Sequence, residues 1–417
     1  MELKYGTTTL EYEIDEARID RILRAQEKEG LANPEQAVTS SLENPVGTAP
    51  LDDLLKAEKP EKVVLVVNDV SRPTPYEFLL PPLLEKLADA GVKREQITFL
   101  VATGTHDPHT PEQNCEVLGS EIVEKYEVVS HRAQREEELV NIGQVSTGNQ
   151  ITLNQRVVEA DFVITTGVIL PHYFAGFSGG RKSIMLGVAG KECIQHNHSR
   201  MVDLLGNLPP VEENPISQEM MESAAMIGLD FILNVVTNSK REIVQVVAGD
   251  FREAWYQGVK TSAGMYHVSI PKKVDAAIVS AGGYPRDINF YQAQKALDHA
   301  DHAVKEGGTI ILAAECRDGL GEDTFAHWVE KAQEPQDNIK RIKKGFVLGG
   351  HKAFAVSEVV EKKELILLSD LDQQTTEALF ARKEEKLQTA VNYLKEKHGS
   401  DYRAVIMPEG SLTVPVV

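Results

Sequence analysis

Residues 62–91, KVVLVVNDVSRPTPYEFLLPPLLEKLADAG, carry the pattern on which the reading of the fold turns. A valine-rich run (62–67) ends in a turn stiffened by Pro73 and Pro75, and a helical pattern follows over 77–91. A continuous short apolar run leading into an amphipathic helix is half of a βαβ unit, because a strand buried on both faces has no polar side to show. The same alternation recurs at ITFLVA (97–102), YEVVSH (126–131), DFVITT (161–166) and FILNVV (231–236). A second series follows at VDAAIVS (274–280), TIILAA (309–314), FVLGG (346–350) and ELILLS (364–369). The pattern predicts an α/β protein of two domains, each a mainly parallel sheet flanked by helices, with the active site in the cleft between them. The helical stretch DFREAWYQGVKTSAGMYHV (250–268) closes the first series. The expected division is therefore a cofactor-binding domain over 1–269 and an α/β domain over 270–400, with YRAVIMPEGSLTVPVV (402–417) a strand that can return to either sheet and so complete the first.

Bulk properties narrow the function. Of 417 residues, 42% are hydrophobic and 26% charged, the composition of a globular chain without a disordered segment. A net charge of −19 repels phosphate backbones and anionic lipid, which makes nucleic acid and membranes poor partners. MELKYGTTTLEYEIDE (1–16) has no apolar leader core, so a cytoplasmic location is expected. Cys115, Cys193 and Cys316 show no metal spacing, and each reads as a plain buried thiol.

In open α/β sheets, ligands sit beyond the carboxyl ends of the strands, so the turns there carry the chemistry. NDVSRPTP (68–75) offers Asp69 and Arg72; TGTHDPH (103–109) offers His106; GVILPHYFAGFSGGRKS (167–183) offers His172 and Lys182. The last stretch resembles a nucleotide-triphosphate loop but has Arg181 where GxxxxGK[ST] requires its second glycine. Amides around Ser178, Gly179 and Gly180 are still expected to cradle one phosphate, with Lys182 as charge clamp or covalent anchor. In GKECIQHNHSRMVDLLG (190–206), read as one helix closed by Gly206, Ile194, His198, Met201 and Leu205 share a face, and His196 points nearly opposite. His198 is then the inward histidine, either a core residue or a metal ligand. In VSAGGYPRDINFYQAQKALDHA (279–300), Tyr291, Gln292 and Lys295 share one helical turn, where Lys295 and Arg72 together would hold a small anion.

Taken in order, NDVSRPT, GTH, LPHYFAGFSGGRK, NHS and GGYPRDINFYQAQKAL resemble the nickel-dependent lactate racemase family across essentially the whole chain. The resemblance implies a racemase or epimerase of a 2-hydroxy acid, with lactate the default. It implies a nickel-pincer nucleotide (a pyridinium-3,5-bisthiocarboxylic acid mononucleotide holding nickel) as cofactor, linked through Lys182 as a thioamide, with His198 as nickel ligand. Asp69, Val70, Ser71 and Arg72 would form part of the cofactor and substrate wall. His106 and His172 would be the acid/bases on opposite faces of the substrate, and Arg72, Tyr291, Gln292 and Lys295 would hold it. Cofactor-synthesis enzymes are the implied maturation partners. A pyridoxal-phosphate racemase, a phosphotransferase and a non-catalytic carrier of nickel or nucleotide are the competing readings.

Overall fold

A computed structural model describes residues 1–204 and 209–417; Leu205 and Gly206 of the helix read over 190–206 lie outside the described residues. The chain forms two compact units, one of residues 27–201 and 209–263, the other of 1–26, 202–204 and 264–417. Both are α/β. The division differs from 1–269 and 270–400 in its ends: residues 1–26 join the C-terminal unit, and so does the chain after 400. Strand Ile19–Ile22 pairs in parallel with Ala404–Met407, and Val414–Val416 pairs with His267–Ser269. The cause is burial: Leu3 and Tyr12 from the N-terminal segment lie in the same core cluster as Ile278, Ile311 and Ile406. A four-residue strand reading IDRI has too little apolar content to announce that partner.

The first unit holds a six-stranded sheet in the order Ile243–Gly249, Phe231–Thr237, Phe162–Val168, Val63–Asn68, Ile97–Ala102, Glu127–Ser130. All neighbours run parallel except the first pair. One face buries Leu65, Val67, Phe99, Phe162 and Ile164 against the helices Pro34–Glu43, Leu51–Glu58 and Tyr76–Asp89. Removing a ring such as that of Phe162, which is fully buried, costs about 3–5 kcal/mol by lost transfer energy plus cavity. The strand order reverses direction between Val63–Asn68 and Phe162–Val168, and the carboxyl ends of strands at such a switch point are where open α/β sheets take their ligands.

The second unit has a parallel sheet ordered Arg382–Lys383, Glu364–Leu368, Val304–Ala313, Val274–Ser280, Ala404–Met407, Ile19–Ile22. The expected strand FVLGG (346–350) is instead a turn running into the helix Gly350–Lys362. Gly350 abuts Trp328 so closely that a Cβ would sit 2.5 Å from its ring, so the double glycine serves a tight helix entry rather than a strand. Val347 and Leu348 stay exposed there, which a buried strand would not allow. Cys193 and Cys316 are buried, but Cys115, on the short helix Pro111–Leu118, is exposed.

Candidate active site

The turn after Val63–Asn68 folds around one carboxylate. Asp69 is only 3% exposed; Oδ2 takes the Nδ1 proton of His106 at 2.5 Å, and Oδ1 accepts from Ser71 Oγ at 2.6 Å and Arg72 Nη1 at 3.2 Å. Burial by itself would raise the pKa of Asp69. The hydrogen bond from His106, the charge of Arg72 and the hydroxyl of Ser71 outweigh it, and the net shift is downward. A second histidine steadies the same turn: the amide of Val70 donates to His109 Nε2 at 2.9 Å. His106 arrives from the next strand, and its turn lies tight against the chain at Leu186. There Gly104, at φ +56°, leaves 2.4 Å between a notional Cβ and the Leu186 carbonyl. With its Nδ1 proton given to Asp69, His106 carries its lone pair on Nε2, a tautomer assigned from this network.

His172 sits on the small hairpin Pro171–His172/Gly176–Phe177, directly opposite Gly176. Its ring stacks on Tyr173 with centroids 5.3 Å apart and meets the edge of Phe174 at 4.5 Å; Phe174 in turn meets His198 at 5.0 Å. The amide of Ala175 donates to His172 Nδ1 across a long 3.4 Å.

His198 belongs to the helix Lys191–Ser199, which breaks at Arg200 before a further turn, Met201–Leu204; the single continuous helix expected there is thus two pieces. Its Nδ1 donates to the Ile194 carbonyl at 2.9 Å, so the lone pair lies on Nε2. Burial, reinforced by the positive charges of Lys182 and Arg72, pulls its pKa down to about 4 against the opposing Ile194 carbonyl, and the ring is neutral at physiological pH. The deepest side chain of this helix is Asn197, and His196, expected on the far face, turns its Nδ1 to within 3.9 Å of the buried Glu219. Glu219 also accepts from Asn149 and Asn197 and, in a very short contact, from Thr147, so one carboxylate ties this helix to Pro215–Met226 and to the turn of the hairpin Leu139–Gln144/Gln150–Asn154.

Lys182, 8% exposed, stands in the short helix Arg181–Met185. The loop before it does not form the expected phosphate cradle at Ser178 and Gly180. The Ser178 amide donates to Leu170 O at 2.9 Å, and the Gly180 amide to Asn234 Oδ1 at 2.8 Å. Ser178 Oγ donates to Val168 O, and its own carbonyl accepts from Trp255 Nε1. These groups face into the protein because Asn234 and Trp255 pin the turn from below. Neither residue was read from the sequence as functional, although a lone asparagine inside FILNVV was the available signal.

In the second unit, Tyr291, Gln292 and Lys295 lie at the start of the helix Phe290–Ala303, capped by Asn289, whose side chain accepts from the Gln292 amide at 3.0 Å. Lys295 Nζ reaches Gln292 Oε1 at 3.2 Å. Sequence reasoning missed Lys352 beside them: its Nζ lies 4.0 Å from the Tyr291 ring centroid and donates to the Tyr291 carbonyl at 2.5 Å. Burial and the charge of Lys295 pull its pKa down to about 7, against the attraction of Asp298. The first unit thus gathers Asp69, Arg72, His106, Lys182 and His198, with His172 joined through Phe174, and the second gathers Tyr291, Gln292 and Lys295. Among the described residues no group of three or more His, Cys, Asp or Glu side chains is placed to hold a metal ion, so a metal at His198 would draw its other ligands from a bound group. No described helix is long and apolar enough to cross a membrane.

Comparison with known proteins bears on this arrangement. Residues 5–207 match the lactate racemase N-terminal domain and 270–416 the lactate racemase C-terminal domain. The lactate racemase of Thermoanaerobacterium thermosaccharolyticum is 36% identical over 346 residues, covering 82% of this chain and 80% of that protein. That of Lactiplantibacillus plantarum is 31% identical over 425 residues, covering 98% of each. The structure of the Thermoanaerobacterium thermosaccharolyticum lactate racemase apoprotein superposes with a TM-score of 0.90 at 31% identity, covering all of both chains. A Thermotoga maritima protein shares the fold alone, with a TM-score of 0.65 at 19% identity over 94% of this chain and 99% of its own.

Proposed function

Since the chain belongs to the lactate racemase family and is a racemase, we propose that it interconverts the two hands of a 2-hydroxy acid, lactate first, with a nickel-pincer nucleotide as its cofactor. The observation that carries this reading is His106: its Nδ1 donates to the buried Asp69, which leaves Nε2 with the lone pair, and the same unit carries a second histidine, His172, on the hairpin Pro171–His172/Gly176–Phe177. Inverting a carbinol carbon requires a group that takes the hydroxyl proton on one face and a group that does so on the other, and imidazoles exchange protons near neutral pH.

In this reading His106 Nε2 takes the hydroxyl proton of one hand, and the Asp69 carboxylate stabilises the imidazolium that forms. His172 does the same for the other hand; in either direction the histidine opposite the one that took the proton supplies the hydroxyl proton of the inverted product, and exchange with solvent resets the pair. Arg72 is the group of the first unit that suits a substrate carboxylate, and Tyr291, Gln292 and Lys295 are the substrate-binding candidates of the second unit. The donor set fits the cofactor at two points. His198 is a neutral imidazole with its lone pair on Nε2, and Lys182 is a sheltered amine whose charge reaches His198. When bound, the nickel-pincer nucleotide supplies the hydride acceptor that no side chain offers. The inward-facing amides of Ser178 and Gly180 weigh against a triphosphate loop here, which needs a run of such donors; the single phosphate of a mononucleotide would take its donors elsewhere.

The test is the intact mass of the protein co-expressed with cofactor-synthesis enzymes, beside Lys182→Ala, followed by chiral analysis of lactate. A nucleotide-sized adduct absent from Lys182→Ala, together with racemisation, is the expected result. Full racemisation by cofactor-free, metal-free protein would overturn it.

A further inference from the structure

Arg181 stands where a triphosphate loop has glycine, and the chemistry above makes no use of it. Its side chain is fully buried, with the guanidinium carbon 3.5 Å from the centroid of the Trp255 ring. Nη2 donates to Ser217 Oγ at 2.7 Å and to Ala175 O at 3.5 Å, and Nη1 to Phe177 O at 3.5 Å; Nε has no partner. Burial pulls its pKa down to about 9, so it remains cationic at neutral pH. No carboxylate among the described residues forms an ion pair with it. An uncompensated buried cation is costly, and an apolar side chain of similar size would cost less. What an apolar side chain lacks is a rigid planar fork that stacks on a ring while donating to acceptors on separate segments.

Those acceptors have a common location. Ala175 and Phe177 flank Gly176, the residue paired with His172, and Ser217 belongs to the helix Pro215–Met226. The same helix grips the hairpin a second time: Asn214 Nδ2 donates to Phe174 O at 2.8 Å while Asn214 Oδ1 caps the helix through the Ile216 and Ser217 amides. We propose that Arg181 is a positioning residue for His172, its buried guanidinium clamping the carbonyls of the 171–177 hairpin to Trp255 and Ser217. The proposal rests on His172 being an acid/base of the racemase. It also accounts for the loop's failure as a phosphate loop, because the glycine position is taken by the clamp.

Two measurements on Arg181→Met test it. In hydrogen exchange of the full chain, amides over 171–178 should exchange about tenfold faster while the strand Phe162–Val168 stays unchanged. In the first half-reaction of the cofactor-loaded enzyme, the oxidation of each hand of lactate to the keto acid followed separately, Arg181→Met should slow the hand that His172→Ala slows, and leave the hand that His106→Ala slows within about twofold. A general lesion would slow both hands alike. Unchanged exchange over 171–178, or equal slowing of the two hands, would overturn the proposal. If the loaded wild type turned over neither hand, the racemase reading would fall, and the clamp would fall with it as a catalytic device even if exchange rose. Arg181→Lys keeps the cation without the fork and should show the same pattern should the Met variant not fold.

Discussion

His106 and His172 share a proposed task and have different neighbours. His106 has a charged anchor: its Nδ1 donates to Asp69, itself fastened by Ser71 and Arg72. His172 meets an aromatic box, the ring of Tyr173 stacked on it and the edge of Phe174 against it. Changing the anchor acts through charge, whereas cutting into the box acts through shape. The two faces of the substrate should therefore respond differently to charge and to volume.

The largest effect should come from the histidines: His106→Ala and His172→Ala should each cut racemisation by about 10³-fold, and a loss under tenfold for either would end the symmetry of roles. Next, Asp69→Asn keeps the shape and removes the charge. It should lower turnover about 10²-fold and change the pH–rate profile, with the oxidation half-reaction of the hand served by His106 suffering more. Phe174→Leu makes the complementary cut, and should cost about 1–2 kcal/mol of stability in urea melts and mainly slow the hand served by His172. If Asp69→Asn and Phe174→Leu slowed both hands equally, the contrast between anchor and box would be wrong.

A smaller effect concerns the two units rather than the two bases. Burial pushes His131 in the first unit and His299 in the second down to about 4, with backbone carbonyls of Ala189 and Gly410 as their neutral-state partners. In the unfolded chain each titrates near 6.5, so the unfolded state binds the extra proton and the stabilisation, complete above that pH, is lost as pH falls towards 4. At pH 5 each should have forfeited about 2 kcal/mol relative to pH 7.5. Urea unfolding at the two pH values, with His131→Asn and His299→Asn as controls, checks this; a pH-independent midpoint would contradict it.

Much of this was legible in residues 62–91 and their echoes. Strands buried on both faces must read as continuous apolar runs, and the turns that follow must carry the chemistry, which is why Asp69, Arg72, His106, His172 and Lys182 stood out. What failed did so for local reasons. FVLGG is apolar enough for a strand, yet Gly350 is spent on approaching Trp328. SGG has phosphate-loop character, yet its amides answer to Asn234 and Leu170, partners that lie 54 and 8 residues away in the chain. Ile19–Ile22 shows nothing of a pairing with Ala404–Met407 across nearly the whole sequence.

The order of apolar runs and turns was enough to set the α/β class and the residue types at each strand end, because those depend on periodicities of a few residues; the family was legible only through the motifs in those turns. The bond from His106 to Asp69, the inward amides of Ser178 and Gly180, the contacts of Arg181 and the joining of residues 1–26 to the C-terminal unit were settled only in three dimensions. Each depends on which distant donor meets which acceptor, and a hydrogen bond is decided within a few tenths of an ångström, a scale on which sequence spacing is silent.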